Sequence, residues 1–150
     1  MSRRAPRVRE TPATRILIDA SVAVSWFAAE PQTPDALRLL RGPLSLSAPD
    51  FMAVETANAL WKKSRRGDVP RDDVLDALGT LHAVGIRWVA AAPVVALAAR
   101  LALDIGHPVY DCLYLVLARA HGVPIATFDD RLRRAAGLSD VAVYAMKGRK

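Results

Sequence analysis

The stretch Arg15-Ile16-Leu17-Ile18-Asp19-Ala20-Ser21 decides how the rest of the chain is read. Three consecutive branched apolar residues, with no polar alternation, predict a short strand buried on both faces. Such strands belong to parallel sheets covered by helices. An aspartate closes the run, so an ionisable group is expected where the strand leaves the sheet. Ahead of it, residues 1–14 hold four arginines, two prolines and almost nothing apolar, which predicts a flexible basic tail.

Short apolar runs at Leu44–Ala48, Ile86–Ala90, Pro124–Thr127 and Val141–Tyr144 predict four further strands. Helical patterns fill the gaps: Ala20 to about Ala29, Pro34–Arg41, a long helix from an Asp50 N-cap through Trp61 to Arg66, and Asp72 to about Val84. Further ones run from Pro93 to Leu103, Tyr110 to His121 and Asp130 to Ala136. Gly42-Pro43, Gly67, Gly85, His107-Pro108 and Gly122 punctuate them. Strands alternating with helices predict a three-layer α/β/α sandwich with a mostly parallel, about five-stranded sheet. The folded body is expected over 15–146, followed by a basic tail at 147–150. Strand order cannot be read at this level.

The 150 residues are 52% hydrophobic, enough for one sizeable core. A single cysteine, Cys112, excludes a disulfide framework and any multi-cysteine metal cluster, and favours a reducing compartment. No apolar run approaches the roughly 20 residues of a membrane span and no signal-peptide pattern opens the chain, so a cytoplasmic protein is expected. The net charge of +6 belongs to the ends: residues 1–15 carry five arginines against Glu10, and the last four residues carry three cations. The body between them is −1, so the overall charge does not by itself argue for a nucleic-acid-binding fold.

The acids are more informative than the cations. In open parallel sheets, ligands bind outside the carboxyl ends of the strands. Asp19 ends the first strand and Asp129 follows the fourth. Glu55 lies in the early turns of the helix after the second strand, and Asp111 in the first turn of the helix feeding the fourth. All four are therefore expected on one edge. Two like charges about 4 Å apart repel by about 4 kcal/mol at an effective dielectric of 20, so such a cluster calls for cations. All-oxygen ligands without His or Cys select Mg²⁺ or Mn²⁺, one or two ions, over zinc. Asp111 stands out because it heads the almost wholly apolar Cys112-Leu113-Tyr114-Leu115-Val116-Leu117.

Ile-Asp-Ala-Ser at 18–21, Glu-Thr-Ala-Asn at 55–58, Tyr-Asp-Cys-Leu-Tyr-Leu-Val-Leu-Ala at 110–118 and Thr-Phe-Asp-Asp at 127–130 resemble the PIN-domain family. Within it they look like the VapC-type toxins of toxin–antitoxin pairs. The gaps of 36, 56 and 18 residues between successive acids suit that family. The resemblance implies a Mg²⁺- or Mn²⁺-dependent endoribonuclease, usually homodimeric and silenced by a VapB-like antitoxin. It carries the catalytic and metal-site carboxylates onto Asp19, Glu55, Asp111 and Asp129. It also matches Ser21 and Thr127 to small hydroxyl positions, Asn58 to the amide three residues after the glutamate, and Asp130 to an auxiliary acid. The arginine-rich leader departs from the pattern.

Read from the residues alone, Glu55, Asn58 and Lys62 share a helix face, and Ser21 could equally cap the first helix. Lys62, Arg65, Arg66 and Arg131 are candidate contacts to an RNA backbone, with a solvated helix end as the alternative for the first three. Trp26, Trp61, Trp88 and Phe51 are expected in core or interface packing rather than base stacking. His82, His107 and His121 have no ligand spacing, and Cys112 reads as a small buried hydrophobe. The apolar Val22, Val24, Trp26 and Phe27 suggest a dimer or antitoxin groove on the first helix. Against the nuclease stands a non-catalytic interaction or RNA-binding module of the same fold. A phosphoacceptor domain fits less well, because no aspartate follows the Ile86–Ala90 strand.

Overall fold

A computed structural model describes residues 13–146. Of the tails expected at 1–14 and 147–150, residues 1–12 and 147–150 fall outside it, and Thr14 already belongs to the first strand. Four parallel strands, β1 (Thr14–Ile18), β2 (Leu44–Pro49), β3 (Arg87–Val89) and β4 (Ile125–Ala126), lie in the order β3-β2-β1-β4. Helices α1 (Ala20–Phe27) and α2 (Thr33–Arg41) link β1 to β2, and α3 (Met52–Arg65) and α4 (Arg71–Ala83) link β2 to β3. A 3₁₀ turn at Ala92–Val94, α5 (Val95–Ile105) and α6 (Val109–His121) lead to β4, and α7 (Asp130–Leu138) follows.

The chain first moves outward from β1 to β3, then returns past β1 to lay down β4. Parallel crossovers are right-handed, so this reversal puts the α1–α4 helices on one face and α5–α6 on the other. The packing agrees: α1 contacts α2 and α3, and α3 contacts α4, whereas α6 packs against α5, α7, β2 and β4. The expected sandwich is present. Its fifth strand is reduced to a single bridge, Val143 beside Ile125, so the sheet has four strands. Ile125 N–H donates to the Ala142 carbonyl and Tyr144 N–H to the Ile125 carbonyl, which secures the segment without a ladder.

Ile16, Leu17 and Ile18 are fully buried in the centre of the sheet, as their unbroken apolar run requires. Ala48, Met52, Leu115, Ile125 and Leu132 surround them. Every residue of α6 from Asp111 to Ala118 is buried, so this helix is the hydrophobic spine between the sheet and α5. Gly122, with φ of +62°, ends it in a left-handed turn that a side chain would strain. Truncating Leu115 to alanine should lower unfolding stability by about 2–5 kcal/mol, measured by urea denaturation.

No single helix among the described residues is long and apolar enough to cross a membrane; α5 and α6 together would be, but they bend by 113°. Two local expectations are corrected. Asp50 does not cap α3: its carboxylate accepts from Ala91 N–H at 3.2 Å and its N–H donates to the Val89 carbonyl, tying the end of β2 to that of β3. Nor is α1 an open groove. Val22, Ala23, Val24 and Ser25 are buried, Trp26 and Phe27 pack on the core, and Trp26 Nε1 donates to the Ala36 carbonyl at 2.9 Å.

Candidate active site

Strand order reverses between β1 and β4, and that switch point is where open α/β sheets place ligands. Asp19 leaves β1 there, as the residue before α1, and Asp129 stands before α7 on the turn that follows β4. Two hydroxyls bind these ends together. Ser21 Oγ donates to Asp19 Oδ1 at 2.6 Å and accepts from Phe128 N–H at 2.9 Å. Thr127 Oγ1 donates to Asp19 Oδ2 at 2.8 Å and accepts from Asp129 N–H at 3.0 Å. Each hydroxyl has one proton, and Asp19 receives both. Ser21 thus holds the β4 turn, and the cap of α1 that its position allows is not formed.

The other two acids come from opposite faces of the sandwich. Glu55 reaches in from the first turns of α3, where Tyr114 Oη donates to its Oε1 at 3.2 Å. Asp111 projects from the first turn of α6, one helical turn before Tyr114. Asp19, Glu55, Asn58, Asp111 and Asp129 line one cleft of about 520 Å³, walled by Val54, Tyr110, Tyr114, Arg131 and Leu132. Four carboxylates separated by up to 110 residues therefore share one opening.

Burial is the main force on their charges. Desolvation, opposed in part by the two hydroxyls, pushes the Asp19 carboxyl from 3.8 to about 6. Glu55 is pushed from 4.5 to about 7, first by burial and then by the charges of Asp19, Asp111 and Asp129. Asp111 is also raised by burial, although the Arg131 cation pulls the other way. The Tyr114 phenol is pushed up by burial and by the neighbouring Glu55 charge, so it stays protonated and donates.

Arg131 Nε lies 3.1 Å from Asp111 Oδ2, yet off the line of a good hydrogen bond, so that buried oxygen has no hydrogen-bond donor. Among the described residues, no three acidic, His or Cys side chains surround a common point closely enough to hold an ion as they stand. The donor set nonetheless suits a hard divalent cation: only oxygens, most of them desolvated, with one buried oxygen held by nothing but an ion pair.

Other sequence-derived candidates divide. Thr127 is buried beside Asp19, and Asn58 lines the cleft. Asp130 is not brought in: it points to solvent, 4.0 Å from Arg133. Arg131 is engaged with Asp111 and Arg66 with Asp68, whereas Lys62 is exposed and Arg65 lies over Trp61. Trp61 is half exposed and so lies outside the core. Tyr114 was overlooked as a site residue. Its position three after Asp111, on an apolar helix where a hydroxyl must find a partner, was the available signal.

With this geometry in hand, comparison with known proteins is direct. The PIN domain family profile matches residues 16–138, and the chain belongs to that family. The ribonuclease VapC3 of Pyrobaculum aerophilum is 32% identical over 120 residues, covering 79% of this chain and 92% of the relative. Within the family the chain is thus of VapC type. PAE2754, also from Pyrobaculum aerophilum, superposes with a TM-score of 0.68 at 22% identity, covering 89% of this chain and 91% of that one. VapC20 of Mycobacterium tuberculosis, described as a sarcin–ricin loop cleaving toxin, gives 0.66 at 16% identity over 80% and 94%.

Proposed function

We propose that this protein is a divalent-metal-dependent endoribonuclease, the toxin of a toxin–antitoxin pair, acting on RNA in the cytoplasm to inhibit growth. The observation that carries the reading is the meeting of Asp19, Glu55, Asp111 and Asp129 in one cleft at the sheet's switch point. The 32%-identical ribonuclease relative supports it. Asp19, Asp111, Glu55 and Asp129 would hold one or two Mg²⁺ or Mn²⁺ ions. When bound, such ions lower the pKa of water and stabilise the oxygens of an in-line phosphoryl displacement.

The chain's own residues have definable tasks. Ser21 and Thr127 hold both Asp19 oxygens in place, so the carboxylate is oriented before any substrate arrives. Tyr114 fixes Glu55 in the same way. One of the four carboxylates can also orient the attacking water or take its proton. Asn58, exposed at the cleft wall, can donate to a phosphate oxygen, and Arg131 can exchange Asp111 for the RNA backbone. Mn²⁺-dependent cleavage of RNA by the purified protein, and growth arrest on expression relieved by Asp19→Ala, are the expected results. RNA bound but uncut under all metal conditions would instead favour the non-catalytic module.

The partners proposed are a VapB-like antitoxin and a second copy of the chain. Val95, Leu97, Leu103, Val109 and Tyr110 are exposed along α5 and the start of α6, and Leu103 is 86% exposed. These exposed apolar side chains form the surface on which the second copy is proposed to dock. Light scattering should give a dimer that Leu103→Glu converts to a monomer; a dimer unaffected by this change would place the interface elsewhere.

A further inference from the structure

Trp61 is 51% exposed, with the Arg65 guanidinium 5.5 Å from its ring centroid. Together with Ser64 on α3 and Arg71, Val74 and Leu75 on α4, these two residues line a groove of about 470 Å³. Positions 54, 58, 61 and 65 fall on one face of α3. Val54 and Asn58 line the acid cleft, whereas Trp61 and Arg65 line the groove, so one stripe of side chains joins them. At 1.5 Å per residue, Trp61 lies about 9 Å along the helix from Glu55. A strand lying across the acids reaches it within a few nucleotides.

The charge of the groove points to its occupant. Among the described residues, Arg65 and Arg71, the two cations that line the groove, form no ion pair. The nearby acids of α4, Asp72, Asp73 and Asp76, do not line the groove. An aromatic ring half open to solvent among unpaired cations matches the two needs of an unpaired nucleic-acid strand, stacking for its bases and positive charge for its backbone. An apolar protein segment would use the tryptophan and leave the cations without partners.

We propose that the α3–α4 groove is the track along which single-stranded RNA leaves the acid cleft, with Trp61 stacking a base and Arg65 and Arg71 facing phosphates. The proposal rests on the ribonuclease reading and adds to it a substrate-binding side chain outside the acids. Stacking depends on a flat ring, whereas phosphate contact depends only on charge, so the two contributions separate by substitution.

The test measures binding of a labelled, unstructured single-stranded RNA by fluorescence anisotropy, in an Asp19→Asn background that prevents cutting. Trp61→Ala should weaken binding by about 5- to 100-fold, Trp61→Leu by a similar factor, and Trp61→Phe by no more than about threefold. Arg65→Ala should flatten the salt dependence by close to one phosphate contact. Unchanged affinity in Trp61→Ala overturns the proposal, and so does full affinity in Trp61→Leu, because apolar area alone would then suffice. Should Trp61→Ala fail to fold, the Leu and Phe pair decides by the same criterion. Failure of the unsubstituted protein to cut RNA with Mn²⁺ defeats the nuclease reading itself. Cleavage whose KM is unmoved by Trp61→Ala defeats only the groove.

Discussion

Asp111→Asn should reduce RNA cleavage at least about a hundredfold and leave the melting temperature within a few degrees of the parent. The loss is large because Asp111 contributes a buried oxygen that no hydrogen bond satisfies, at the mouth of a cleft shared with three other acids. Changes merely adjacent to a metal's ligands already cost about 10- to 100-fold in affinity or activity, so loss of a ligand costs more. The fold should survive because asparagine keeps the size of the side chain and relieves both the desolvation and the repulsion that raise Asp111. Against this stands only a carboxylate at a helix N-terminus, worth about 0.3–1 kcal/mol. Arg131, already half exposed, returns to solvent without penalty. Single-turnover cleavage beside a thermal melt checks both parts. Activity within a few fold of the parent would remove Asp111 from the machinery.

Metal binding should be steeply pH-dependent, and the sign follows from burial. Asp19 and Glu55 titrate near 6 and 7 in the folded protein, against 3.8 and 4.5 when solvated. Carboxyls raised in this way favour the folded state fully only below their unfolded values. That contribution is lost as pH rises through about 6 to 7. The metal-free protein should therefore lose stability from these two groups between about pH 4 and 7. A cation competes with the same protons, so its affinity rises across the upper part of that window. Mn²⁺ at a hundred times its dissociation constant adds about 2.7 kcal/mol, or about 5–10 °C in the melting temperature at pH 8. At pH 5 the shift should vanish. Scanning calorimetry with Mn²⁺ and with EDTA at the two pH values makes the comparison, and an equal shift at both would mean that the cation binds away from Asp19 and Glu55.

Much of this site was legible because parallel sheets constrain where things end. The unbroken Ile16-Leu17-Ile18 could only suit a strand with both faces covered, and Asp19 then had to emerge at the carboxyl edge. The four acids could be placed on that edge without strand order, since helices following or feeding parallel strands start there. Strand order itself, and with it the β1/β4 switch point, depends on non-local pairing that no window of sequence records.

The misreadings have the same origin. Val141–Tyr144 looks like a strand, but only Val143 finds a bridge. The apolar α1 looked partnerless because the core it covers is distant in sequence. Asp50 had a helix ahead of it and seemed a cap, yet a backbone N–H forty-one residues away proved the better partner.

Crystals soaked in Mn²⁺ and measured at its absorption edge test the central claim most directly. The expected result is an anomalous peak in the cleft, bonded to oxygens of Asp19 and Asp111 at about 2.0–2.6 Å, with Arg131 drawn away from Asp111. No peak at saturating Mn²⁺, with Asp111 still paired to Arg131, would contradict it.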